Sequence, residues 1–506
     1  MIYIVLFLLA FADTLTPEPV VQLSTLESAR SLSLQLRGVV PSVEEMEQIE
    51  SLGGIDEALL DQWLSSEAFE EQVVRHHQSL FWNSTFANDF EIRRLVFYSD
   101  GVFYRKFTSQ YNRGLSRVQC SDWENTDVTE WNQPLTTQTG TVNLSGQDVS
   151  YIDEGWVWVT PYWSDDQIKV CAFDAQTNLF NDDGVDCSNS DSNKVAGCGC
   201  GPNLQWCMNR TIQNVFKQSF VDEINERVRN VVSEEKPYSN ILTDQTMYFN
   251  GPLAFYYENL DPFISRTSAP TDNIPQLDYS DIDTWVNVET GPLYSGALTS
   301  PGWLLRHQTN RGRANRFYEA FLCSTFVPPV GGIVDEANST PDLSLKQGCA
   351  ECHTRLEPWK AYWGRWGEVS SAYITEEEFP SFSQTCKDCV ELGNCNYTCR
   401  NNYMVNPTHI DDNPYIGWYL PYVYLKAEQR YFPDEGPSTW VQEVASNGAL
   451  SQCVTKNTAL WIFGWENDEI DPDLLEEWST SFDQSGQNYR NLVREMVTHP
   501  AYGWRK

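Results

Sequence analysis

The sequence predicts a mainly α-helical chain, a helical bundle in outline, carrying a β-rich, disulfide-bonded insertion. Three observations support this. Apolar residues recur at helical spacing near the N-terminus, in a long central stretch and at the C-terminus. Between about residues 87 and 200 that period gives way to Thr, Val, Tyr and Trp in short alternating runs. Cysteines at 120, 171, 187, 198, 200 and 207 crowd the same part of the chain, where bridges among them would pin short strands. With 506 residues the chain is long enough for about three domains.

In chain order, residues 1–12 (MIYIVLFLLAFA) read as a signal peptide. The apolar run closes on Ala10-Phe11-Ala12, a small-residue cleavage pattern, without a positive n-region. It is too short to span a bilayer, and no later run reaches 18 apolar residues. An N-terminal helical region, 13–86, follows. Ser42-Val43-Glu44-Glu45 is a capping box after Pro41, and Val43, Met46 and Ile49 continue at helical spacing. Leu59, Leu60, Trp63, Phe69, Val73 and Val74 carry helical patterns to about Trp82. The β-rich, Cys-containing insertion is placed at 87–207. Within it Gly155 to Thr160 reads as a strand around Val157 and Val159, and Cys198-Gly199-Cys200-Gly201-Pro202 as a tight turn whose glycines miss the dinucleotide-binding spacing.

A second helical region, 208–322, carries the stripe Ile212, Val215, Phe216, Phe220, Ile224, Val228 and Val231. Residues 262–295, rich in Pro, Asp and Thr, read as a loop, and Ser300-Pro301 opens a helix as cap and first-turn proline. A Pro/Gly/Asp loop, 324–348, begins a further region, 323–415. The C-terminal region, 416–506, reads as mainly helical. Asp471-Pro472 starts one helix, and Tyr489, Leu492, Val493, Met496 and Val497 give the last its buried face.

Composition narrows the partners. The net charge of −36 repels phosphate backbones and anionic lipid heads, so nucleic acid is excluded as a natural partner. Cations, cationic proteins and neutral molecules remain. Of the 14 cysteines, all but Cys349 and Cys352 form an even set suited to disulfides in an oxidising compartment. Periplasm, cell surface and extracellular space all fit.

Gly348-Cys349-Ala350-Glu351-Cys352-His353 contains C-x-x-C-H, the c-type haem attachment pattern. One turn of backbone sets two thiols against the two vinyl groups of a porphyrin edge, and the next residue brings an imidazole under the iron. The expectation is one covalently bound haem c, with Cys349 and Cys352 as attachment points and His353 as proximal iron ligand. Region 323–415 is then the haem-binding, cytochrome c-like part of the chain. Trp359, Trp363 and Trp366 are candidates to wall the porphyrin. A C-x-x-C disulfide beside an incidental His, and a zinc site, are the alternatives.

The sixth ligand is left open among Met404, His409, His307 and an open position. Met404 sits in a loop 51 residues past His353, as a distal Met would, and a Met ligand raises the reduction potential. Cys386, Cys389, Cys395 and Cys399 read either as two local disulfides before Met404 or as a zinc or iron–sulfur cluster. Arg306, Arg311, Arg313 and Arg316, with Arg355 and Arg365, are either partners for haem propionates or internal ion pairs. His76-His77 lacks a third ligand at helical spacing and reads as structural. Asn181 to Asp186 matches part of a calcium loop without its full ligand register. Asn83, Asn143, Asn209, Asn338 and Asn396 begin N-x-[ST] triplets.

Several segments together resemble the large exported cytochrome-like proteins of planctomycetes and myxobacteria, grouped as domains of unknown function. Leu36 to Glu45 is similar to their N-terminal helix opening, and Phe69 to Trp82 to the helix after it. Leu242 to Ala254, Tyr294 to Pro329 and Leu450 to Tyr502 resemble later segments. The likeness covers about two thirds of the chain and is thinnest at 87–200. Only Cys349, Cys352 and His353 carry over residue by residue. The resemblance implies an exported mono-haem c-type cytochrome and no particular substrate.

The expected function is electron transfer with a redox partner that offers a basic docking face. Two alternatives stand beside it: a haem oxidoreductase or peroxidase-like enzyme with an open distal site, and a cell-surface structural or binding protein.

Overall fold

The computed structural model describes residues 21–83, 95–97, 104–106, 118–126, 138–181, 183–188, 197–260, 271, 273–292, 294–327, 340–368, 370–467 and 469–505. The expected signal peptide and Asn338 lie outside the described residues.

Four capped helices open the chain after a short strand, β1 (Val21–Gln22): α1 (Thr25–Arg37), α2 (Val43–Leu52), α3 (Glu57–Leu64) and α4 (Glu67–Phe81). Ser24, Ser42, Asp56 and Ser66 each accept a first-turn backbone N–H. The expected Ser42/Glu45 capping box forms, and Glu45 does more than cap. Arg37 donates to both its oxygens at 3.0 and 2.9 Å, and Trp63 Nε1 donates at 2.8 Å, so one carboxylate joins α1, α2 and α3. The stripe on α2 is narrower than its spacing suggests. Ile49 is buried, whereas Val43 is 69% exposed.

The insertion holds β2 (Leu95–Phe97), β3 (Tyr104–Lys106), β4 (Val118–Gln119), β5 (Gln138–Leu144), β6 (Gln147–Asp153), β7 (Trp156–Val159) and β8 (Ile168–Cys171). They form two small sheets, ordered β2-β3-β8-β7 and β4-β6-β5. The β5/β6 hairpin pairs in antiparallel register from Gln138↔Asp153 to Leu144↔Gln147. Disulfides Cys120–Cys171, Cys187–Cys198 and Cys200–Cys207 close within this part of the chain, as expected for strands too short to hold a core alone.

Helix α5 (Arg210–Ser233) is capped by Asn209 and buries the expected stripe except Val215, which is half-buried. After α6 (Asn240–Thr243), β9 (Thr246–Phe249) and α7 (Gly251–Phe255) comes a strand that sequence reading missed. Part of the expected loop 262–295 is β10 (Val286–Glu289), paired antiparallel with β9. Four residues in a Pro/Asp-rich setting give too short a period to read. Helix α8 (Pro301–Arg306) starts at the Ser300 cap and leads to α9 (Asn310–Phe321). Helix α10 (Ala350–Lys360) carries the C-x-x-C-H motif.

Short helices α11 (Gln384–Leu392), α12 (Tyr397–Asn402) and α13 (Phe432–Glu435) precede α14 (Pro437–Ser446), α15 (Ala449–Phe463), α16 (Pro472–Gln484) and α17 (Tyr489–Thr498). The five residues expected to face inward on α17 are its buried ones. Strand β11 (Trp504–Arg505) returns to pair with β1, Val21 opposite Arg505. One apolar core runs through α1–α5, α8–α10 and α14–α17. Among the described residues no helix is long and apolar enough to cross a membrane.

Candidate cofactor site

The cysteines divide as their spacing suggests. Besides the three bridges of the insertion, Cys323 pairs with Cys453, Cys386 with Cys399 and Cys389 with Cys395. The four-cysteine cluster is therefore two local disulfides, and its zinc and iron–sulfur readings fall. The free thiols are Cys349, buried, and Cys352, half-buried. They are not joined to one another, so the local C-x-x-C disulfide does not form.

Local sequence explains the entry to α10. Asp342 ties down Ser344 through backbone and hydroxyl bonds, and turns at Lys346 lead on to Cys349. Gly348 then takes φ +76°, a left-handed turn that a side chain disfavours. The chain enters the helix at once, with Cys349 at its N-cap and Cys352 and His353 in its first turn.

His353 does not stand alone. Its Nδ1 lies 2.6 Å from Glu357 Oε1, one helical turn on, and 21% of its side chain is exposed. With Nδ1–H donated to a carboxylate, Nε2 is the nitrogen left with a lone pair for a metal. Glu357 is held in turn. Arg311 of α9 donates to Oε1 from Nε at 2.7 Å and to Oε2 from Nη2 at 3.1 Å, and Lys360 contacts Oε2. Burial pushes the Glu357 carboxyl up, but the Arg311 hydrogen bonds and the Lys360 charge outweigh it and hold the group at about 2. The His353–Glu357 spacing was readable as an i,i+4 pair on a helix. Arg311, 46 residues before Glu357, had no local signal.

A cleft of about 610 Å³ adjoins this cluster, with Arg311 and Lys360 in its wall beside Asn310, Trp366, Asn401 and Tyr419. Behind the wall Arg313 is fully buried. It donates to the carbonyls of His307, Leu304, Trp366, Gly367 and Ser370 and to Asn310 Oδ1. Burial lowers its guanidinium to about 9, with Glu368 the opposing charge.

Three of the remaining arginines have structural partners. Arg316 donates to the Leu80 and Ser79 carbonyls and lies 3.6 Å over the Trp82 ring, and Arg306 donates to the Trp82 carbonyl. Arg365 donates to Asp434, the Phe379 carbonyl and the Tyr422 hydroxyl. Arg355 is exposed on α10.

The distal candidates have contacts of their own. Met404 is half-buried, and its backbone pairs with Trp418 and Gly417 in the segment braced by the two local disulfides. His409 caps the short helical turn 410–415 through its Nδ1. Among the described residues neither makes a hydrogen bond to α10. His307 is a core residue, with Nε2 3.1 Å from the Phe81 carbonyl and its ring against Trp303. Trp363 and Trp366 are buried in the core, Trp363 donating to the Leu298 carbonyl. Trp359 stacks on Trp440 at 4.8 Å beside Tyr362 and Phe432.

Other motifs resolve as structure. His77 bonds the Val73 carbonyl and the Tyr238 hydroxyl, and His76 stacks on Trp461. Asn181 Oδ1 accepts the Asp183 and Val185 N–H groups. Asn83 is buried, and Asn209 and Asn396 are helix caps.

The donor set fits a c-type haem. Two unpaired thiols stand three residues apart at the start of one helix, and the adjacent imidazole has a carboxylate on its far nitrogen. No protein-family model matches this chain, and neither a curated protein nor a solved structure matches it.

Proposed function

We propose that the protein is an exported c-type cytochrome carrying one haem c and acting in electron transfer. The observation that supports this most is the cysteine partition: twelve pair, and the two left free belong to C-x-x-C-H. Six disulfides also favour an oxidising compartment such as the periplasm, cell surface or extracellular space.

In this reading Cys349 and Cys352 hold the porphyrin through thioethers and His353 binds the iron through Nε2. The haem supplies a reversible one-electron couple. Glu357 orients the imidazole and enriches its electrons, and Arg311 with Lys360 keeps Glu357 ionised and in place. Met404, with His409 as the rival, is the proposed distal ligand. A basic face on the redox partner complements the charge of −36.

Protein matured in a host with haem-attachment machinery is expected to carry haem mass on the intact chain and to show c-type spectra in both redox states. Cys352→Ser should lose a thioether. Covalent haem in the double variant Cys349→Ser/Cys352→Ser, or a colourless wild type, defeats the proposal. Ready carbon monoxide uptake by the ferrous form would favour the oxidoreductase alternative over the carrier.

A further inference from the structure

A cleft beside Glu357 is walled by cations. Its volume of about 610 Å³ is that of an ordinary small-molecule site. Its charges do not cancel. Arg311 and Lys360 stand in the wall and Arg313 directly behind it, facing the carboxylates of Glu357 and Glu368.

Glu368 is already engaged by the Asn310 N–H at the start of α9, at 2.8 Å. Arg313 has only carbonyls and an amide for partners, so its charge is met by dipoles and by no carboxylate in hydrogen-bond contact among the described residues. Its opposing charge, Glu368, acts on it only from beyond hydrogen-bond contact.

The two wall cations also have donors to spare. Arg311 uses Nε and Nη2 on Glu357 and is 47% exposed. Lys360 contacts only Glu357 among the described residues. Asn401 adds an exposed amide, and the nearly buried Trp366 and Tyr419 back the lining. In a chain of net charge −36 this is a local cationic excess.

We infer that the cleft binds a small molecule through a carboxylate or phosphate group seated on Arg311 and Lys360. Resting on the haem reading, the occupant is also sensed at the iron. An oxyanion there draws the two cations away from Glu357, which then accepts more strongly from His353 Nδ1. A more electron-rich imidazole favours the ferric state, so binding lowers the midpoint potential. By reciprocity the oxidised protein binds the anion more tightly, by at least about fivefold for a coupling of ordinary size.

The test is calorimetric titration of the full-length protein with succinate and with inorganic phosphate at constant ionic strength. Lys360→Gln and Asn401→Asp serve as variants, with thermal unfolding as the folding control. Saturable binding by either probe, weakened at least about tenfold in both folded variants, is expected, and the stronger probe identifies the headgroup. No saturable heat with either probe, or binding unchanged in the variants, overturns the site. Midpoint potentials with and without the bound probe test the coupling, and an unmoved potential overturns that half. A protein without haem defeats the cytochrome reading, while the calorimetry still decides the cleft.

Discussion

At the residue scale, two kinds of titratable group matter most. Glu357 is a carboxylate enclosed by cations and aimed at an imidazole. In the haem-loaded protein Glu357→Gln should raise the midpoint potential, because a neutral amide withdraws negative charge from Nδ1 of His353. Spectroelectrochemistry reads this directly, and an unchanged midpoint would reduce Glu357 to a packing role.

The core imidazoles work in the opposite sense. Burial lowers His77 to about 4 and His307 to about 3, against an ordinary 6.5. The unfolded chain therefore binds protons that the folded one refuses. Stability should be fully present above pH 6.5 and should fall as the pH drops toward 4. Glu45 adds a later acid step. Hydrogen bonds from Arg37 hold it at about 2 against burial, so its share is present above pH 4.5 and is lost as the pH falls toward 2. Unfolding midpoints across this range, with His77→Gln flattening the upper part of the slope, check both.

At the element scale, the cleft and the haem motif depend on how α8, α9 and the turn after α10 meet. Arg313 nails that turn to α8 and α9 through carbonyls from both sides. Arg313→Met keeps the volume but leaves those carbonyls without donors, and should cost about 3–5 kcal/mol in chemical denaturation. Gly302 lets α8 lie against α5, since a Cβ there would sit 2.4 Å from the Phe220 carbonyl oxygen. Gly302→Ala should cost about 1–3 kcal/mol through forced backbone shifts. A variant as stable as wild type would mean that the two helices separate freely.

Across the whole molecule, covalent bonds and net charge take over. Cys323–Cys453 joins the end of α9 to α15 across 130 residues of sequence. It therefore links the segments on either side of the C-x-x-C-H motif. Replacing both cysteines with serine should cost about 2–5 kcal/mol. If the protein exchanges electrons with a basic partner, the second-order rate should fall steeply with ionic strength. Stopped-flow mixing over a salt series reads this, and a flat profile would remove charge steering.

The legible part of this protein was local. Caps at Ser42, Ser300 and Asp471, the stripes of α5 and α17, the Trp156 strand and the haem-type motif all express neighbours a few residues apart. The even cysteine remainder foretold disulfides but not their partners, since pairing Cys323 with Cys453 is a matter of folded distance. What no stretch of sequence contains is the encounter of distant residues. Arg311 reaches Glu357, Arg313 gathers carbonyls from two directions, and Asn401 and Lys360 line one cleft only because tertiary packing brings α9, α10 and α12 together. Local periodicity fixes which face of a helix is buried, while long-range packing, in which entropy is spent to join remote segments, settles what that face will touch.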